Sequence, residues 1–227
     1  MTQARRNVKC GGGVNAADTM TDAAMPHGDD DPHPCKSRLM DALMAAFVAA
    51  ILIEAGDRTP WLAAILGDRF ARRGTVSVAA LIALAIGNGI AGYGGGIVAA
   101  QLTPNARALL LALALISAGA GAFGRLKPPE RLAKWRLGAF ATSLLGIAIL
   151  AFGDRTQFAT LAFAARSDAP VLAAVGATLG AGLVNVAAVL AGEDVRARLP
   201  IRAVRIGSGL LLCAVGVVSG LSALRLI

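Results

Sequence analysis

From residue 39 to its end, the chain is a series of apolar runs separated by short basic segments. Crossing the hydrocarbon core of a bilayer, roughly 30 Å thick, takes about 20 helical residues, and several runs reach that length. Hydrophobic residues make up 56% of the 227 and charged residues only 16%, too few to coat a soluble domain. Mean hydropathy is +0.65. The alternating ten-residue strands that build membrane β-barrels are not visible. The expected class is an all-α membrane protein.

Six helices are expected, at about 39–66, 76–100, 106–123, 137–165, 170–192 and 204–224. Residues 1–38 form a polar tail rich in Gly, Asp and Pro, without the apolar core of a signal peptide; disorder is expected there. His27, His33 and Cys35 beside Asp29–Asp31 are a loose set of metal donors in a solvated tail. Met40, just before the first apolar run, is an alternative start. Cys10, Cys35 and Cys213 share no spacing that implies a disulfide framework. Gly92 and Gly96, Gly176 and Gly180, and Gly216 and Gly220 are small-xxx-small pairs that allow close helix contact.

The net charge of +8 falls in loops that set topology, so no nucleic-acid partner is expected. Arg69, Arg72 and Arg73 follow helix one. Arg125, Lys127, Arg131, Lys134 and Arg136 lie between helices three and four, and Arg196, Arg198, Arg202 and Arg205 between five and six. The other side holds only Lys36, Arg38, Arg107, Arg166 and Arg225. The positive-inside rule then puts these loops in the cytoplasm and both termini outside it. Helix one enters from outside and helix four from inside. The chain divides into a tail (1–38), a three-helix repeat (39–124), a basic cytoplasmic loop (125–136) and a second, inverted three-helix repeat (137–227), as in many secondary transporters.

The halves share a sequence mark. Gly-Asp-Arg-Thr occurs at Gly56–Thr59 and at Gly153–Thr156, both deep in apolar stretches. Charges there are costly and by default functional. Aligning the copies without gaps superposes Asp57 on Asp154, Arg58 on Arg155, Thr59 on Thr156 and Asn88 on Asn185. Glu54 stands three residues before Asp57, on the same helix face. Hard divalent cations take oxygen ligands. Glu54, Asp57 and Asp154 offer carboxylates; Thr59, Thr156, Gln157, Asn88 and Asn185 offer neutral oxygens. No thiol or imidazole donor is expected at that depth, which disfavours a soft-metal site. Arg58 and Arg155 either pair with the acids or reach to the membrane interface.

Glu54-Ala-Gly-Asp-Arg-Thr59 resembles the Glu-x-Gly-Asp-(Lys/Arg)-(Thr/Ser) signature of the transmembrane protein 165 family of cation/proton antiporters. Gly153-Asp-Arg-Thr-Gln-Phe-Ala-Thr160 is similar to that family's second signature. Ala188–Gly192 and Arg198–Arg202 are similar to its fifth helix and following loop. The resemblance covers about residues 40–227. It implies exchange of Mn²⁺ or Ca²⁺ for protons, with Glu54, Asp57 and Asp154 as cation ligands supported by Thr59, Thr156 and Gln157. Two positions depart from the pattern. Ala151 stands where the second signature has Glu, and Pro60 stands where the family has Gln.

The expected function is a divalent-cation/proton antiporter of a bacterial inner membrane, with Mn²⁺ as the first cation and Ca²⁺ as the second. The cation is substrate, and no cofactor is expected. The alternative is a non-transporting relative that serves as a membrane scaffold. An enzyme is not expected, because no Ser/His pairing, HExxH motif or helical histidine is present.

Overall fold

The structure, a computed structural model, describes residues 34–124, 128–132, 134–135, 137–198 and 200–224, with side chains from residue 40 onward except 195–197. The proposed metal donors His27 and His33 lie outside these residues. Eight α-helices and no strands are found among them. The helices are α1 (Pro34–Glu54), α2 (Arg58–Phe70), α3 (Arg73–Gln101), α4 (Pro104–Gly121), α5 (Gly138–Ala151), α6 (Arg155–Arg166), α7 (Pro170–Arg198) and α8 (Ile201–Ala223).

Two expectations about the helices are corrected. The first and fourth helices are not continuous, because each breaks at its Gly-Asp-Arg-Thr copy, into α1 and α2 and into α5 and α6. The cause is local. Asp57 and Asp154 have extended backbones and occupy the N-cap positions of α2 and α6. Asp prefers that position because its side chain competes for backbone N–H groups. Gly153 adds a left-handed residue, with φ +72°, which ends a right-handed helix. The bend between α5 and α6 is 66°. The first helix also starts earlier than expected, since Pro34 to Arg38 already belong to α1, where proline suits the first turn; the rest of the expected tail, residues 1–33, lies outside the described residues.

Four helices among the described residues are long and apolar enough to cross a membrane: α3, α4, α7 through Asp194, and α8. A fifth crossing results if α5 and α6 form one bent span. Ile82, Ile86, Ile90 and Ile97 stay exposed on α3, a helical stripe suited to lipid. The interior is built from small residues. Ala46, Ala50, Ala173, Ala177 and Ala181 share one cluster. Gly176 and Gly180 of α7 lie so close to the Leu43 and Phe47 carbonyls of α1 that a side chain at either would collide. Gly216 of α8 sits against Ile116 and Ala112 of α4 in the same way. Both pairs use the close backbone approach that small residues allow.

Element boundaries repeat in register. The starts of α6, α7 and α8 follow those of α2, α3 and α4 at the interval that separates Asp57 from Asp154, and the end of α5 follows the end of α1 likewise. Packing repeats too: α1 lies on α7 while α5 lies on α3, and α2 lies on α7 while α6 lies on α3. Each half thus sets its first helix against the other half.

A polar clasp closes the end where α2 meets α3. The Asp68 carboxylate accepts the Glu193 N–H at 2.7 Å, just past Gly192, whose φ of +76° kinks α7. Arg73 donates to the Leu190 carbonyl at 3.0 Å, and Arg131 pairs with Glu193 at 2.8 Å.

Candidate cation site

The two breaks meet in the interior. In the first, the Asp57 N–H donates to the Glu54 carbonyl at 3.0 Å; in the second, the Asp154 N–H donates to the Ala151 carbonyl at 3.1 Å. Matched turns therefore place both aspartates at the N-terminal ends of short helices, where the partial positive charge of unpaired N–H groups favours anions. Asp154 Oδ1 accepts the Arg155 N–H at 2.7 Å. The Asp57 and Asp154 carboxyls lie within hydrogen-bonding reach of each other.

Glu54 ends α1 and is 1% exposed. Its Oε1 accepts the Thr156 hydroxyl at 2.9 Å, and its Oε2 accepts Asn185 Nδ2 at 3.0 Å. A carboxylate from the first half is thus held by two side chains of the second. Asn88 lies opposite, and its Oδ1 takes a 3.2 Å contact from the Thr160 hydroxyl, which also donates to the Thr156 carbonyl at 2.7 Å. Glu54, Asp57, Thr59, Asn88, Thr156 and Asn185 are all buried, and Asp154 is half-buried. Burying so many polar groups is costly unless they bond one another or a ligand.

Other expected site residues are placed differently. Gln157 turns back on its own break, where its Oε1 accepts the Gly153 N–H at 3.0 Å and its amide packs on Gly87. The Arg155 guanidinium lies over Gly121 at the end of α4. Arg58 is half-buried. Among the described residues no three His, Cys, Asp or Glu side chains close into a metal cage. Instead the Asp57 and Asp154 carboxyls approach each other, and Glu54 is held beside them by the Thr156 hydroxyl and the Asn185 amide. This donor set is all oxygen, the chemistry of a hard cation.

Two residues were not singled out from sequence. Thr160 lies one turn beyond Thr156, and that spacing was the available signal. Arg205 was counted as a loop charge. It lies inside α8, 8% exposed, with its aliphatic stem over Gly56 and its guanidinium donating to the Gly124 carbonyl at 2.9 Å.

The family model described as "Divalent cation/proton antiporter GDT1" matches residues 42–127 and 139–226, one segment over each half. The chain belongs to the GDT1 family. It is similar to a Vibrio cholerae protein named "Putative manganese exporter", at 28% identity over 187 residues, covering 79% of this chain and 92% of that one. No solved structure matches it.

GDT1 membership bears out the resemblance carried by the two signatures. This GDT1 chain is a membrane transporter of a divalent cation and not an enzyme. The cation is its substrate rather than a cofactor. Of the two positions that depart from the signatures, Ala151 ends α5 as Glu54 ends α1 and is buried in the alanine cluster, and Pro60 is buried in the first turn of α2.

Proposed function

We propose that this chain exchanges a divalent cation, Mn²⁺ before Ca²⁺, for protons across a bacterial inner membrane. One observation carries the reading: two aspartates at N-cap positions, one from each half, come within hydrogen-bonding reach beside the buried Glu54. A hydrogen bond between two carboxyl groups needs a proton on one of them. A cation arriving at the same oxygens displaces that proton, and protonation from the other side expels the cation. Binding and proton release are then linked in one place.

In this reading Glu54, Asp57 and Asp154 ligate the cation, with Thr59, Thr156, Asn88 and Asn185 lending neutral oxygens or orienting the acids. Gln157 braces the second break, and Arg58 and Arg155 open the two short helices that follow the breaks. Residues 39–124 and 137–227 are inverted repeats joined by the cytoplasmic loop 125–136, with both termini on the far side, and each broken helix counts as one of six crossings. The repeated boundaries, the exchanged packing and the paired family match support this division. Rocking of one half against the other would expose the acids to each side in turn. The name of the Vibrio relative favours manganese and outward transport.

The test is flux in liposomes holding the purified chain, a pH gradient and a Mn²⁺-sensitive dye. Mn²⁺ movement that collapses with the gradient is expected. No flux of Mn²⁺, Ca²⁺ or Mg²⁺ in either direction would leave a non-transporting membrane protein.

A further inference from the structure

The two glycines of the repeated motif are retained for different reasons, and the difference points to Arg205. At Gly153 the backbone is left-handed, and a Cβ would meet nothing within 4 Å. At Gly56 φ is not positive, yet a Cβ would run into the Arg205 stem. The register of the halves makes Ala108 of α4 the counterpart of Arg205. One break is therefore covered by a long cationic side chain, and its partner is not.

Arg205 also lines two spaces. A small cavity of about 10 Å³ is lined by Gly56, Arg155, Arg205 and Ser208, among others. It is the size of a single water. A wider vestibule of about 660 Å³ is lined by Phe123, Gly124, Ile201, Arg202 and Arg205, among others. Ala122 and Arg205 border both. The vestibule opens where α4 ends and α8 begins, the side that the loop charges assign to the cytoplasm. Arg205 lies close enough to Asp57, Arg155, Arg58 and Arg202 to interact with their charges.

We propose that Arg205 is the cytoplasmic gate: its stem seals the first break, and its charge bars cations until the guanidinium leaves the Gly124 carbonyl. The proposal rests on the transport reading for its direction. Arg205 is a gating residue rather than a ligand, since it presents only donors. Opening requires loss of one charge-assisted hydrogen bond to a carbonyl, a contact that movement of α8 against α4 would break. The fixed charge explains how three buried acids avoid drawing cytoplasmic cations in at all times, because a single-sign charge in a narrow cleft controls local ion concentration.

The test reads access and charge together. Cys10, Cys35 and Cys213 are replaced by Ser or Ala, and Ser208→Cys supplies one thiol in the inner cavity. Cationic and anionic methanethiosulfonates are added to the cytoplasmic face of sealed vesicles. Arg205→Gln is expected to raise the cationic labelling rate about tenfold relative to the anionic rate, and Arg205→Lys to leave that ratio low. An equal rise for both reagents, or no change, overturns the charge gate. Should Arg205→Gln fail to insert, Arg205→Met keeps an apolar stem over Gly56 without the charge and must give the same shift in ratio. Labelling needs no transport, so the gate and the flux reading fail separately. Wild-type chain without flux but with the charge-dependent labelling would sink the antiporter alone.

Discussion

Asn88 and Asn185 occupy equivalent places in the two halves, yet each lacks the hydrogen bond that the other makes. Among the described residues Asn88 Nδ2 and Asn185 Oδ1 are buried without partners. Asn185 Nδ2 donates to Glu54; the counterpart of Glu54 is Ala151, so Asn88 Nδ2 has no carboxylate to meet. Asn88 Oδ1 is reached by the Thr160 hydroxyl; the counterpart of Thr160 is Ala63, so Asn185 Oδ1 has no donor. Each replacement by alanine in one half thus leaves one orphan atom on the amide facing it. An orphan acceptor beside Glu54 suits a cation, and the orphan donor of Asn88 does not.

That asymmetry separates two otherwise equivalent substitutions. Asn185→Ala removes a group that orients a proposed ligand, and such losses cost about 10–100-fold in metal affinity. Asn88→Ala removes an amide that meets only a hydroxyl and is expected to cost less. Titrating Mn²⁺-dependent flux in both variants checks the ranking, and equal losses would mean that the two halves bind the cation alike.

Ala151→Glu refills the vacant acid position. By the register of the halves the new carboxylate is expected to reach Asn88 Nδ2 as Glu54 reaches Asn185, but it enters a packed alanine cluster where added volume costs about 1–3 kcal/mol. The expected outcome is a lower melting temperature without cation and a larger rise on adding Mn²⁺, since binding stabilises the folded state by mass action. A lower melting temperature with no larger rise would show that the position is closed to a ligand.

Asp57→Asn and Asp154→Asn each replace the carboxyl pair with an amide and a carboxyl. The fold tolerates this, because Asn also serves as an N-cap. Proton-coupled cation flux is expected to vanish in both while the chain stays folded by circular dichroism. Retained flux in both would move the site elsewhere.

The motif glycines are expected to respond in opposite ways. Gly153→Ala forces a left-handed backbone on a β-carbon, at about 1–2 kcal/mol, while Gly153→Asn recovers part of that loss because Asn tolerates this conformation. At Gly56 the obstacle is the Arg205 stem, so Asn is no better than Ala. Thermal unfolding of the four variants in detergent tells these causes apart.

Much of the framework was legible because bilayer physics leaves few options. Apolar length placed α3, α4 and α8 to within a few residues, and Gly192, given as the end of the fifth helix, is the kink in α7. The breaks at Asp57 and Asp154 were missed because each motif was read as a polar insert in a continuous helix. The signal was present, since an Asp following Gly marks a helix start as well as a charge. The approach of Asp57 to Asp154 is expected from the repeat. The inward turn of Gln157 is not, because it depends on the φ of Gly153. Arg205 escaped for a different reason: its burial comes from α8 crossing the first break, a contact between residues far apart in sequence.

The exchanged packing of the halves has a consequence for biosynthesis. The surface of α7 that receives α1 does not exist when α1 leaves the ribosome. On the order of 100 further residues must follow, which takes roughly 5–20 s at translation rates of 5–20 residues per second. During that interval Glu54 has neither Thr156 nor Asn185 to hold it. The newborn first half therefore carries its acid without the two side chains that hold it until the second half arrives to receive it.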